Sequence, residues 1–202
     1  SYDLKKQMYR ANKFAAVFYH QKLKSLSGQH KLKSYLEKRN LSQELVEEFR
    51  LGFAPENWDE LTKYLASKKV PENISEKLGL IRRNKKGGYF DLFRDRLMFP
   101  IFAIDSEVIG FGGRIIDQGQ PKYINSMESD VFKKGKSFYG LDKAAKFIRS
   151  EDKVFVVEGY MDLLALYGRG VKNVVATLGT ALTPDQVKLL KRWTGNIGLI
   201  CD

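Results

Sequence analysis

The chain has 202 residues, 43% of them hydrophobic, which suffices for one or two domains with a sizeable core and is too apolar for a disordered chain. Its 35 Lys and Arg against 24 Asp and Glu leave a net charge of +11, which steers a polyanion such as nucleic acid or an anionic membrane towards the surface. The single cysteine, Cys201, excludes an internal disulfide and a cysteine-rich zinc site and fits a reducing compartment; no apolar run is long enough for a membrane span, and Ser1-Tyr2-Asp3-Leu4-Lys5-Lys6 lacks a signal-peptide pattern, so a cytoplasmic protein without a membrane partner is expected.

Leu4, Met8, Ala11, Ala15 and Phe18 recur at four- and three-residue spacing and predict an amphipathic helix over 3–26, its stripe facing the core. Short helices are predicted over 31–38 and 42–49, then a break at Leu51-Gly52-Phe53-Ala54-Pro55, then a helix over 58–68 started by Asn57 with Glu60. Lys68-Lys69 and Arg82-Arg83-Asn84-Lys85-Lys86 are charge runs, read as solvated faces or mobile loops.

Strands are predicted from Tyr89 onward. Arg94 and Arg96 alternate with apolar residues, and period-two spacing puts both on one strand face, where they could track a phosphate backbone with Asp95 pointing away. The same pair reads equally well as edge-strand charges that discourage aggregation. A hairpin turn is expected at Asp105-Ser106. Gly110-Phe111-Gly112-Gly113 is followed by no helix pattern, so it is not a dinucleotide fingerprint; its glycines suit bulges or close backbone approach. Pro121 to Ser126 and Phe132 to Gly140 interleave basic and aromatic residues, as a single-strand or nucleotide groove does, although each aromatic alone fits a core equally well. A linking helix follows over 142–150.

Val154-Phe155-Val156-Val157 reads as a strand buried on both faces, ending in Glu158 and the turn residue Gly159, with a helix over 161–167 that carries Asp162 in its first turn. Further strands are predicted over 171–177 and 197–201. Between them lies a helix signalled by Thr183, Pro184 and Gln186 and closed by Gly195. Right-handed crossovers make these strands parallel, and in such sheets ligands sit outside the carboxyl ends, where Glu158, Asp162, Gly179, Thr180 and Asp202 fall. Gathered carboxylates suit Mg²⁺. A plainer reading stands beside this one, with Asp162 complementing a helix dipole and Glu158 and Asp202 as solvated strand ends.

Seven segments in order carry a resemblance over nearly the whole chain: Tyr35-Leu36-Glu37-Lys38-Arg39, Phe49-Arg50-Leu51-Gly52-Phe53-Ala54-Pro55, Phe93-Arg94-Asp95-Arg96-Leu97-Met98-Phe99-Pro100-Ile101, Val108-Ile109-Gly110-Phe111-Gly112-Gly113-Arg114, Lys122-Tyr123-Ile124-Asn125-Ser126, Tyr139-Gly140-Leu141 and Val157-Glu158-Gly159-Tyr160-Met161-Asp162. Together they resemble the catalytic core of bacterial replicative DNA primases of the DnaG type. The resemblance implies an α/β fold: an α+β basic N-terminal subdomain over 1–133, then the first part of a Toprim domain over 134–202, a parallel βαβαβ sheet. It implies synthesis of short RNA primers on a single-stranded DNA template from ribonucleoside triphosphates, dependent on Mg²⁺ or Mn²⁺. Glu158 would match the Toprim glutamate of acid–base chemistry or metal organisation, Asp162 the second acid of that motif, and Asp202 the first aspartate of an Asp-x-Asp metal pair. Arg94, Arg96 and Arg114 match the basic groove. Lys122, Asn125 and Lys134 match positions that contact nucleotide or template. The second aspartate of the metal pair, a zinc-binding N-terminal domain and a helicase-binding C-terminal domain are not within these residues, so a fragment of a longer primase is expected. Another Toprim enzyme, a topoisomerase or nuclease, and a noncatalytic single-stranded DNA-binding module are the alternatives.

Overall fold

The computed structural model describes residues 2–201. Helix α1 (Tyr2–Lys24) buries Met8, Ala11, Ala15 and Phe18, the stripe that its spacing predicts. Its alanines let it lie close to a sheet. A Cβ on Gly52 would stand 2.5 Å from the Tyr19 Cβ, so only glycine permits the approach, and the Asn12 amide donates to the Val108 carbonyl at 3.1 Å. Helices α2 (Lys31–Lys38) and α3 (Gln43–Glu48) start where local caps put them, with the His30 ring accepting from Leu32 N and the Ser42 hydroxyl from Leu45 N.

The break expected at residues 51–55 is instead a strand. Gly52–Ala54 (β1) pairs antiparallel with β4 (Arg96–Phe102), which pairs with β5 (Val108–Ile115), which pairs with β6 (Tyr123–Asn125). Three residues whose partners lie more than 40 positions away show no period of their own. Helix α4 (Glu60–Ser67) begins later than predicted because Asn57 bonds only the Glu60 side chain. The cap comes from Asp91, whose carboxylate accepts from Leu61 N and Thr62 N, both at 2.8 Å, and from the Thr62 hydroxyl at 2.7 Å. Helix α5 (Glu72–Lys77) was not anticipated, and the second charge run is no loose loop: β2 (Ile81–Arg83) and β3 (Tyr89–Asp91) form an antiparallel hairpin.

The shared strand face expected for Arg94 and Arg96 does not exist. Strand β4 starts at Arg96, and Asp95 takes a left-handed conformation, φ +50°, that turns the chain between the two arginines. Close approach at the β5 glycines does hold. A Cβ on Gly112 would stand 2.3 Å from Cζ of Tyr160, and one on Gly113 2.8 Å from the Phe93 ring.

After α6 (Leu141–Glu151) come β7 (Val154–Val157), α7 (Tyr160–Gly168), β8 (Val174–Ala176), α8 (Pro184–Leu190) and β9 (Ile197–Leu199). Both crossovers give parallel pairs, with β7 central and β8 and β9 beside it, so the predicted β-α-β-α-β order stands, with β8 and β9 shorter than expected. Thr183, Pro184 and Gln186 form the predicted capping box of α8. Tyr139 bridges antiparallel to Ala176, adding to the β8 edge. The protein is thus mixed α/β. One buried cluster runs from Leu36, Phe49 and Phe99 through Tyr139 and Tyr160 to Leu163 and Val174, so the antiparallel and parallel sheets share a core.

Candidate active site and nucleic-acid groove

Strand β7 delivers Glu158 to the carboxyl edge of the parallel sheet, and Gly159 caps α7 in extended backbone. A Cβ on Gly159 would stand 2.9 Å from Asp162 Oδ2, so glycine leaves room for the Asp162 carboxylate to fold back over the turn. Glu158 and Asp162 are both exposed and line one cavity of about 190 Å³ with Val157, Ala165, Leu166 and Ile200. Among the described residues neither carboxylate has an ion-pair or hydrogen-bond partner, and no cluster of three metal-ligating side chains forms. Asp202, the third expected acid, lies outside the described residues. Two open carboxylates beside a helix N-terminus offer hard oxygen donors with room for water and phosphate, a donor set that fits Mg²⁺ or Mn²⁺.

The facing segment, Leu178-Gly179-Thr180, follows β8, with Gly179 at φ +76°. Here β6 is fastened to the parallel sheet. The Asn125 amide donates to the Leu178 carbonyl at 3.0 Å and accepts from the Tyr160 hydroxyl at 2.6 Å. Tyr160 is buried and its ring lies parallel to Phe99 at 4.7 Å and near Tyr123 at 6.2 Å. Burial pushes its hydroxyl far above the usual phenol range, so it stays protonated and donates. Asn125, expected to contact nucleotide or template, therefore spends both ends of its amide within the protein.

Arg114 is buried. Its Nε donates to the Tyr123 hydroxyl at 3.1 Å and its guanidinium lies 4.7 Å from the centre of the Tyr35 ring, on which Arg39 also packs at 5.4 Å. Arg96 is 6% exposed and donates to the carbonyls of Pro121 at 2.9 Å and of Gly113 and Lys122 at 3.2 Å each. Desolvation lowers its pKa, with Arg94 nearby adding to the effect. Its guanidinium clasps the β5–β6 connection. Arg94 stands apart, stacked 3.9 Å over the exposed Trp58 ring and donating to the Asp91 carbonyl. Lys122 is exposed. Lys134 is half-buried, its backbone held by Glu128 and by Gln186 of α8. Neither lysine ammonium has an ion-pair partner among the described residues, whereas Lys133 pairs with Glu128 and Lys136 with Asp185.

The structure thus joins Arg96, Arg114 and Lys122 around β5 and β6, and links Asn125 to the Glu158 edge. Pattern reading gave no role to Tyr35, Trp58 and Tyr160, while Tyr123 fell within the basic and aromatic stretch read as a groove. Trp58 is exposed under Arg94, Tyr35 packs on Arg114, and Tyr160 belongs to the buried core.

A family model for the DNA primase catalytic core, N-terminal domain, matches residues 18–145, and a Toprim domain model matches residues 152–201. A DNA primase of Synechococcus elongatus is 42% identical over 192 residues, covering 94% of this chain and 28% of that protein. The chain spans 28 to 32% of the length of that protein and of the curated DNA primases of Synechocystis and Clostridium acetobutylicum, to which it is also 42% identical. Among solved structures, a DnaG primase catalytic domain bound to single-stranded DNA superposes with a TM-score of 0.91 at 38% identity, covering 98% of this chain and 64% of that one. The RNA polymerase domain of Mycobacterium tuberculosis primase DnaG, in complex with a double-stranded DNA oligomer with a 6-nucleotide overhang, also superposes at 0.91, with 33% identity and the same coverage.

Proposed function

The chain belongs to the DNA primase catalytic-core family, and on that premise we propose that it synthesises short RNA primers on single-stranded DNA from ribonucleoside triphosphates. The observation that carries this reading is the pair of carboxylates, Glu158 and Asp162, unpartnered among the described residues, on a sheet edge that Asn125 fastens to strand β6, which Lys122 precedes. Glu158 and Asp162, joined by Asp202, would hold Mg²⁺ or Mn²⁺. A cation held there would supply positive charge to the attacking and leaving oxygens when a primer 3′-hydroxyl displaces pyrophosphate from the α-phosphate. Lys122 and Lys134 neutralise the leaving pyrophosphate. Arg94, stacked on the exposed Trp58 ring, offers charge and stacking surface to template, and buried Arg114 holds the Tyr35 and Tyr123 rings in place beside the groove. Arg96 acts from below by holding the Lys122 and Pro121 carbonyls.

In this reading residues 1–133 form the basic subdomain and 134–202 the first part of the Toprim domain. The bonds from Gln186 to the Lys134 and Ser137 carbonyls support placing residue 134 with the parallel sheet. Contact with a replicative helicase and a structural zinc belong to other segments, and the setting is the cytoplasm. No helix among the described residues is long and apolar enough to cross a membrane.

Product analysis separates the candidate reactions. Incubated with single-stranded DNA, ribonucleotides and Mg²⁺ or Mn²⁺, the intact protein should yield labelled RNA and leave the DNA whole. Cut or religated DNA without RNA would point to a nuclease or topoisomerase, and binding without any product to a noncatalytic module.

A further inference from the structure

Residues 82–88 are all exposed and carry Arg82, Arg83, Lys85 and Lys86 with no acid among them. A loose, solvated run would have a disordered backbone, but this tip is closed by hydrogen bonds. Asn84 N donates to the Gly88 carbonyl at 2.8 Å and Gly87 N to the Asn84 carbonyl at 3.1 Å; the Asn84 side chain accepts from Lys86 N at 2.8 Å and Gly88 N at 3.1 Å. Gly87, at φ +91°, supplies the left-handed turn. The hairpin register fixes its two faces, because directly opposed residues of an antiparallel pair share a face. Arg83 lies opposite Tyr89 and donates to its hydroxyl at 2.9 Å, so part of its guanidinium is engaged within the hairpin. Arg82 lies opposite Phe90, whose ring meets exposed Trp58 edge-on at 5.6 Å.

The basic face also has a position. Arg82 reaches the exposed Met127 sulfur at 3.9 Å, and Met127 follows by two residues the Asn125 that is bonded to the Leu178 carbonyl. Strand β6 therefore leads from the carboxyl edge of the parallel sheet directly to this hairpin. Among the described residues none of the four cations is ion-paired. Like charges held on a closed tip repel one another, and a polyanion relieves that repulsion.

We propose that the β2–β3 hairpin is a guide for the sugar–phosphate backbone of single-stranded DNA outside the catalytic cleft, with Arg82, Lys85 and Lys86 contacting phosphates and Phe90 offering a flank to unpaired bases. The proposal rests on the template-directed reading above. Aromatic surface on the same face as Arg82 favours a single strand over a duplex, whose bases are already stacked.

The test is a salt titration of labelled oligothymidine binding by the intact protein and by its Arg82→Gln/Lys85→Gln/Lys86→Gln variant. One oligomer has about 8 nucleotides, within the usual span of a single-strand site, and one has about twice that length. The variant should bind the short oligomer as the parent does and the long one at least about tenfold more weakly. On the long oligomer its slope of log affinity against log salt should be shallower by about 2, since each lost single-strand phosphate contact removes roughly 0.7. A companion Lys85→Arg/Lys86→Arg variant keeps the charge and should bind like the parent. Equal loss on both lengths, or no loss on either, overturns the hairpin guide while leaving the polymerase reading in place. A parent protein that binds neither oligomer overturns that reading, and the guide with it.

Discussion

A guanidinium that is 6% exposed and bonded to three carbonyl oxygens has no free edge for a phosphate unless it gives one of them up. Arg96→Ala is therefore expected to lower stability by about 2–3 kcal/mol, the scale of losing a charged partner from buried acceptors. Denaturant unfolding measures this, and Arg96→Lys should not restore it, because one ammonium cannot span the three carbonyls. Unchanged stability with weakened DNA binding would return Arg96 to the groove. Asp91 is the other buried ionic anchor. Burial raises its pKa, outweighing the hydrogen bonds from Thr62 and Leu61 that lower it. With the folded value above the ordinary 3.8, this contribution is fully present below 3.8 and is lost as pH rises through the raised value. The stability advantage of the parent over Asp91→Asn should then shrink from acid to neutral pH in urea titrations; an advantage that grows with pH would contradict the assignment.

At the scale of elements, the junction between β5, β6 and α7 turns on Gly112, Asn125 and Tyr160. Tyr160→Phe removes one bond and should cost about 1 kcal/mol. Gly112→Ala places a methyl 2.3 Å from a ring already packed on Phe99, and should cost about 1–3 kcal/mol or more, as overpacking does. Thermal unfolding of the two variants checks the order, and a harmless Gly112→Ala would mean that the junction can yield. These contacts also explain what pattern reading could and could not see. The cap of α8 was legible because Thr183 and Gln186 are three residues apart. The cap of α4 was not, because Asp91 lies about 30 residues beyond the helix it starts. Strands β1 and β2 have three residues each, too few for a period, so a break and a charge run stood in their place, whereas β3 begins at Tyr89, where strands were expected. Glu158 and Asp162 were legible as acids at a strand end and a helix start. Tyr160, between them in sequence, carried no such sign, since its partner Asn125 comes from another sheet.

Across the whole molecule the parallel and antiparallel sheets share one buried cluster, and further bonds tie them, with Tyr167 of α7 donating to Glu48 of α3 at 2.6 Å and Phe49 packing on Tyr139 and Tyr167. The net charge of +11 is not spread evenly in its effect. Lys31 is neutralised by Asp95 and Asp117, while Lys122, Lys134 and the hairpin cations stand without ion-pair partners among the described residues. Composition predicted a polyanion partner; only the folded chain shows which cations are left without an ion pair among the described residues.

The nucleotidyl transfer proposed for the Glu158 and Asp162 carboxylates is checked by Mg²⁺-dependent incorporation of labelled ribonucleotides on single-stranded DNA, comparing the intact protein with its Glu158→Gln variant at concentrations where both are shown to bind the DNA. Template-dependent short RNA is expected from the parent, with a loss of about 100-fold or more in the variant, the scale of removing an acid–base or charge-stabilising group. Equal RNA from both proteins would take the chemistry away from Glu158.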